Sequence, residues 1–238
     1  FSTADSPSTD WSIQSGIGLE SPGPGASSAV DSGPSFGNQV WTGINSMSGG
    51  STWDFSVYFF HSGVNTSSPI SVGITTDKSN TYVGTGSPQH SIGFFVESDR
   101  LGLQRSDAST SSVLYSNAFS SNLVAGNWYQ LSFTATPRTS GGQFLQFSDA
   151  LITNSDAAGN LGSVFDSPGF PVSVSDNENI TLDSSVYIYM GGTSGTLGIT
   201  ALDNLSTTAT IPEPSTYAMI AALCAFMLVI ARRQLLRA

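Results

Sequence analysis

The chain has 238 residues, 39% hydrophobic and only 10% charged, with a formal net charge of −10. That acidity argues against nucleic acid or an anionic membrane surface as a partner of the part before residue 212. The only cysteine is Cys224, so no internal disulfide can form, and two histidines, His61 and His90, give no zinc-ligand spacing.

Residues 1–38 are rich in Ser, Gly, Pro and Asp. Trp11-Ser12-Ile13-Gln14 reads as a first short strand, and residues 20–38 read as turn and loop. From Thr52 the pattern changes to period two. Trp53, Phe55, Val57 and Phe59 share one face of a strand; Asp54, Ser56, Tyr58 and Phe60 share the other. Ile70, Val72 and Ile74 alternate with Ser71, Gly73 and Thr75. Segments 91–96 and 101–105 read as a pair joined by Glu97-Ser98-Asp99-Arg100, and Val113–Tyr115 as a short strand. In 127–135, Tyr129, Leu131, Phe133 and Ala135 point inward and Trp128, Gln130, Ser132 and Thr134 outward. Residues 138–142 turn the chain into a strand over 143–153; further strands follow at 185–190 and 200–206. No window before residue 215 has helical periodicity. About ten to twelve short strands between polar turns predict an antiparallel jelly-roll β-sandwich.

The C-terminal stretch has a different character. Pro212-Glu213-Pro214 is an extended break, because each proline disfavours helix before it. Residues 215–231 are uncharged and mostly apolar, and seventeen helical residues span ~26 Å, enough for a thin bilayer core. Arg232, Arg233 and Arg237 then favour the cytoplasmic side. The expected organisation is a sandwich over 1–206, a linker over 207–211, and a membrane-anchoring tail over 212–238. Without Glu213 and the three tail arginines, the remaining domain holds four basic and sixteen acidic residues, a net charge of −12. The topology requires export, so a removed leader is expected ahead of Phe1.

The order Pro212, Glu213, Pro214, Ser215, Thr216, Tyr217, then an apolar helix and a basic end, resembles the PEP-CTERM sorting signal of Gram-negative bacteria. The resemblance implies a substrate of exosortase, with Glu213 recognised rather than catalytic. It also implies transient or permanent residence at the inner membrane, then the cell surface or the exopolysaccharide matrix. The tail lacks the glycines many members carry and runs on past the arginines to Ala238. Segments 90–105, 127–131 and 201–205 resemble concanavalin A-like, laminin-G-like sandwiches. Fold alone does not give function.

Candidate chemistry is sparse. Glycosidases on such a sandwich need paired carboxylates flanking the bond. The laminarinase-type pattern Glu-x-Asp-x-x-Glu is begun by Glu97 and Asp99, but its third position is Gly102. No Gly-x-Ser-x-Gly elbow is present. The expectation is therefore a non-enzyme. Asp176, Glu178 and Asp183 cluster oxygen ligands in one loop and are the candidate site for a structural calcium ion, without EF-hand spacing. Glycan binding calls for aromatics that stack on sugar faces. Trp41 and Trp128 are the leading candidates, with Tyr58, Phe60, Tyr187 and Tyr189 behind them. The expected function is a structural or lectin-like component of the envelope or exopolysaccharide matrix. A secreted polysaccharide-degrading enzyme and a permanently tail-anchored protein are the alternatives.

Overall fold

The computed structural model describes residues 11–13, 18–20, 29–31, 38–44, 52–61, 69–76, 82–83, 87–88, 90–106, 110–137, 143–167, 172–175, 186–192 and 199–210. All regular elements among them are strands. Those before the first clean alternation are β1 (Trp11–Ile13), β2 (Gly18–Glu20), β3 (Ala29–Asp31) and β4 (Asn38–Ile44). Next come β5 (Thr52–His61), β6 (Ile70–Thr75), β7 (Tyr82–Val83), β8 (Ser87–Pro88) and β9 (Ser91–Val96). The middle of the chain forms β10 (Arg100–Ser106), β11 (Ser111–Ala118), β12 (Asn127–Pro137) and β13 (Gln143–Ser155). β14 (Leu161–Asp166), β15 (Val172–Ser175), β16 (Val186–Gly192) and β17 (Ile199–Thr210) complete the set.

Two antiparallel sheets result. One has seven strands in the order β1-β4-β16-β6-β9-β10-β11. The other has the order β14-β13-β12-β5-β17-β3-β2, with β15 also paired to β13. We call the second the eight-stranded sheet. β7 and β8 form a separate two-stranded ribbon.

The core is built from inward positions. Phe55, Val57 and Phe59 of β5 and Tyr129, Leu131, Phe133 and Ala135 of β12 meet Ile70, Val72, Ile74, Ile92, Phe94 and Val96 of the other sheet. Phe133 is the aromatic hub. Its ring stacks on Phe55 at 4.8 Å and meets Phe94, from across the sandwich, at 4.7 Å and Phe147 at 6.0 Å. Such pairs stabilise beyond their area burial. Tyr129 is buried, and its hydroxyl accepts from the Val124 N–H at 2.8 Å, which fixes the segment between β11 and β12.

Three differences from the sequence reading have physical causes. β2 abuts and β3 lies within the stretch expected to be loop. Three-residue strands are too short to show alternation. β11 runs well beyond the expected Val113–Tyr115, because as an edge strand it is exposed along most of its length and carries no apolar stripe. β17 continues past residue 206 to Thr210, through most of the expected linker over 207–211, since Thr207 pairs with Phe55 and Thr210 with Thr52. The expected transmembrane helix over 215–231 lies outside the described residues. Among the described residues no helix is long and apolar enough to cross a membrane.

Candidate functional site: the outer faces of the two sheets

Strand alternation sends five of the six candidate aromatics to two places. Tyr187 and Tyr189 fall on the outer face of the seven-stranded sheet, because Val186 and Ile188 of the same strand join the core. Trp41 of β4 is in register with Tyr189 on one side and Ser12 on the other. Tyr58, Phe60 and Trp128 gather on the outer face of the eight-stranded sheet.

The seven-stranded face is polar and floored by glycine. Tyr189, Gly73 and Gly93 are successive register partners across β16, β6 and β9. A Cβ at Gly93 would come within 2.8 Å of the Tyr189 hydroxyl, so the tyrosine reaches over a floor that has no side chains. Glycine inside a strand commonly marks such a close approach. Gly102 lies under the Phe95 ring in the same way. Around them sit Ser71, Thr75, Ser91, Gln104 and Ser106, all buried. Buried hydroxyls and amides need partners. Gln104 Nε2 donates to Ser106 Oγ at 3.1 Å, and Thr75 Oγ1 donates to the His90 carbonyl at 3.2 Å. Tyr189 has no exposed surface. Tyr189 and these polar residues are thus covered by protein, whereas Tyr187 is half-buried.

The eight-stranded face is open. Asp54 is exposed, and Thr52, Ser56, Tyr58, Gln130, Ser132, Thr134 and Thr136 are half-buried. Thr134 Oγ1 donates to Asp54 Oδ1 at 2.7 Å, and the Thr52 and Thr136 hydroxyls lie 3.4 Å apart. Trp128 is 8% exposed, with its ring tilted at 47° against Phe60 at a centroid distance of 5.3 Å. Much of the indole surface therefore contacts protein. Phe60 and Tyr58 carry more of the exposed area of this aromatic corner. The Tyr58 hydroxyl donates to the Gly159 carbonyl at 3.1 Å, which ties the corner to the turn between β13 and β14.

The carboxylates named for catalysis occupy the turn between β9 and β10. Glu97 is 7% exposed and paired with Arg100, whose guanidinium is held above its ordinary value mainly by that hydrogen bond. The carbonyls of Ser98 and Asp99 accept from the Leu123 and Phe119 N–H groups at 2.7 and 2.8 Å. The third motif position, Gly102, has no room for a side chain beneath Phe95. Glu97 thus closes the turn on Arg100, and the Ser98 and Asp99 carbonyls hold the turn onto the segment after β11. His61 ends β5 and is buried; His90 enters β9 with a positive φ of 51°.

These sheets, their order and their two outer faces place the chain among known folds. The architecture is that of the lectin-like β-sandwiches. The exoplasmic/lumenal domain of VIP36, in a Ca2+/Man3GlcNAc-bound form, is similar over 88% of this chain and 88% of its own, with a TM-score of 0.52 at 14% identity. The carbohydrate recognition domain of Emp47p is similar over 85% of this chain and 89% of its own, with a TM-score of 0.53 at 10% identity. Lectin UEA-II complexed with galactose gives 85%, 94%, 0.51 and 9% for the same measures. At these identities the likeness is one of fold. No family model matches the chain, and no curated protein matches it.

The remaining expectations fall elsewhere. Asp176, Glu178 and Asp183 lie outside the described residues, as do Pro212, Glu213, Pro214, Arg232, Arg233 and Arg237. Among the described residues no group of three or more His, Cys, Asp or Glu side chains could hold a metal ion. What the sequence reading missed is the extent of the hydroxyl-bearing outer face. Its outward positions were read strand by strand, and only the register between strands shows that they are neighbours.

Proposed function

We propose that this chain is an exported glycan-binding protein of a bacterial envelope or exopolysaccharide matrix. The sandwich is its binding domain, and residues 212–238 are its sorting tail. The observation that carries the reading is an open sheet face of hydroxyls and aromatics on a lectin-like fold. Lectin-like sandwiches with carbohydrate-named relatives in structure support it.

In this reading exosortase recognises Pro212, Glu213 and Pro214, with residues 215–231 held in the inner membrane and Arg232, Arg233 and Arg237 at its cytoplasmic face. Trp41 remains a proposed stacking residue on β4, and a calcium ion at Asp176, Glu178 and Asp183 a proposed structural element. The test has two parts. Intact mass of the protein recovered outside the producing cells should end near Pro212–Pro214. A product retaining Ala238 in the membrane fraction would remove the processing step and leave a tail-anchored protein. Glycan-array binding should be positive, and uniformly blank arrays would remove the binding role.

A further inference from the structure

The outer face of the eight-stranded sheet is more ordered than a merely solvated face requires. Thr52 and Thr136 meet across β5 and β12, and Asp54 and Thr134 form the next row. Ser56 and Ser132 are register partners in the row after that. β17 extends the same rows, with Thr210 opposite Thr52, Thr208 opposite Asp54 and Ser206 opposite Ser56. Strands stand ~4.8 Å apart and same-face residues recur every ~6.8 Å, so hydroxyl-bearing positions fall on a regular two-dimensional net. Toward the other end the rows change to Gln130 opposite Tyr58, then Trp128 opposite Phe60.

Charge is nearly missing here. Asp54 is the single ionised side chain among the outward positions of β5 and β12, in a chain of net charge −10. The rows also hold Asp203 of β17, in register with Tyr58; two carboxylates and no Lys or Arg on β5, β12 and β17 disfavour an acidic sugar.

We infer that this face binds a neutral, extended polysaccharide laid across β12, β5 and β17, an inference that rests on the glycan-binding reading above. Each hydroxyl is both donor and acceptor, as are the hydroxyls of a neutral sugar, so a repeating net pairs with a repeating chain. A single sugar would need a concave pocket to bury it. Rows of hydroxyl-bearing positions repeated across three strands instead match a long chain or the surface of an insoluble polymer. The protein's overall negative charge repels anionic polymers. A second copy docked on the same net would bring together two polar faces without the apolar centre that stable protein interfaces have.

The experiment uses the full chain and measures retention on cellulose, insoluble β-1,3-glucan and chitin, with alginate as the anionic control. Retention is expected on at least one neutral polymer, unchanged in high salt, and absent on alginate. Ser132→Lys and Ser56→Lys, at the centre of the net, should each weaken retention by about tenfold or more, the loss of roughly one good polar contact set. Both should keep the wild-type thermal midpoint. Thr134→Val, which removes a hydroxyl and adds no charge, should weaken retention severalfold. If glycans bind and all three variants are retained like wild type, the net is not the site, while the glycan-binding reading stands. If the unaltered chain binds no polymer and no arrayed glycan, the reading and the inference fall together. If the chain is a dimer that Ser132→Lys makes monomeric with retention unchanged, the face belongs to a second copy.

Discussion

At the scale of single residues, the glycines of the seven-stranded sheet act by what they leave out. Gly73 and Gly93 face each other across β6 and β9, and the space above them belongs to Tyr189. A methyl group at Gly93 would meet the Val72 carbonyl, the Gly73 Cα and the Tyr189 hydroxyl. Two of those neighbours are backbone and cannot rotate away. Gly93→Ala is therefore expected to destabilise the fold by about 1–3 kcal/mol, the usual range for overpacking, as read by urea unfolding. Gly162 on β14 is the matched control. Its nearest neighbours, both atoms of Asn154, stand at 3.6 Å. Gly162→Ala should be neutral or stabilise by up to about 1 kcal/mol through a less flexible unfolded chain. None of this is legible in sequence, where Gly73 is only the middle polar member of an alternation. Its role depends on Gly93, twenty residues later, and on a tyrosine from β16.

At the scale of elements, the hairpin of β13 and β14 shows a turn held by one carboxylate. Asp156 Oδ1 accepts from the Ala158 and Asn160 N–H groups at 2.8 and 2.9 Å, and Oδ2 accepts from Asn160 Nδ2 at 2.8 Å. The Asn160 side-chain bond, then the backbone bonds, hold Asp156 below the ordinary carboxylate range. A depressed folded-state value means that the stabilisation is fully present above the unfolded value, about 3.9, and is lost as pH falls through the folded one. The Ala158 and Asn160 amides should therefore be protected from hydrogen exchange at neutral pH and lose protection below about pH 4. Asp156→Ala should lower their protection at neutral pH, and equal protection there in that variant would show that the carboxylate does not hold the turn. The turn sequence Asp156-Ala-Ala-Gly-Asn160 could have announced this hairpin, since Asp and Asn bond their own backbone in turns. β14 itself was invisible because Leu161 and Val164 are exposed, so its apolar residues follow no core-facing period. β5 and β12 were legible for the opposite reason. Each has one face in the core and one in solvent, and their inward and outward residues fall as the alternation predicts. The partner of Trp128 was not legible, because stacking on Phe60 is set by cross-strand register rather than by either strand's own pattern.

At the scale of the whole molecule, the fold and the proposed sorting step meet at β17. This strand is interior to the eight-stranded sheet, between β5 and β3. Its last pairs are Thr207 with Phe55, Thr208 with Asp54, Ala209 with Trp53 and Thr210 with Thr52, and of these Thr208 and Thr210 fall in the rows of the hydroxyl net. Read as sequence, Thr207-Thr208-Ala209-Thr210 looks like a polar linker, since small polar residues carry no apolar signal. In the structure these residues end only two positions before Pro212, whose ring cannot donate to a ladder and whose predecessor is pushed to extended backbone. Cleavage at Pro212–Pro214 would therefore leave the sheet whole, whereas cleavage a few residues earlier would strip an interior strand. A chain ending at Ile211 should unfold in urea within error of the full chain once the latter is held in detergent. A chain ending at Ser206 should lose roughly 2–4 kcal/mol, taking about 1 kcal/mol net for each backbone hydrogen bond removed. The same truncation should weaken retention on neutral polysaccharide, because it removes one edge of the net. Equal stability of the two truncated chains would mean that the strand ends where the sequence suggested, near residue 206, and that the sorting motif is separated from the sandwich by a free linker.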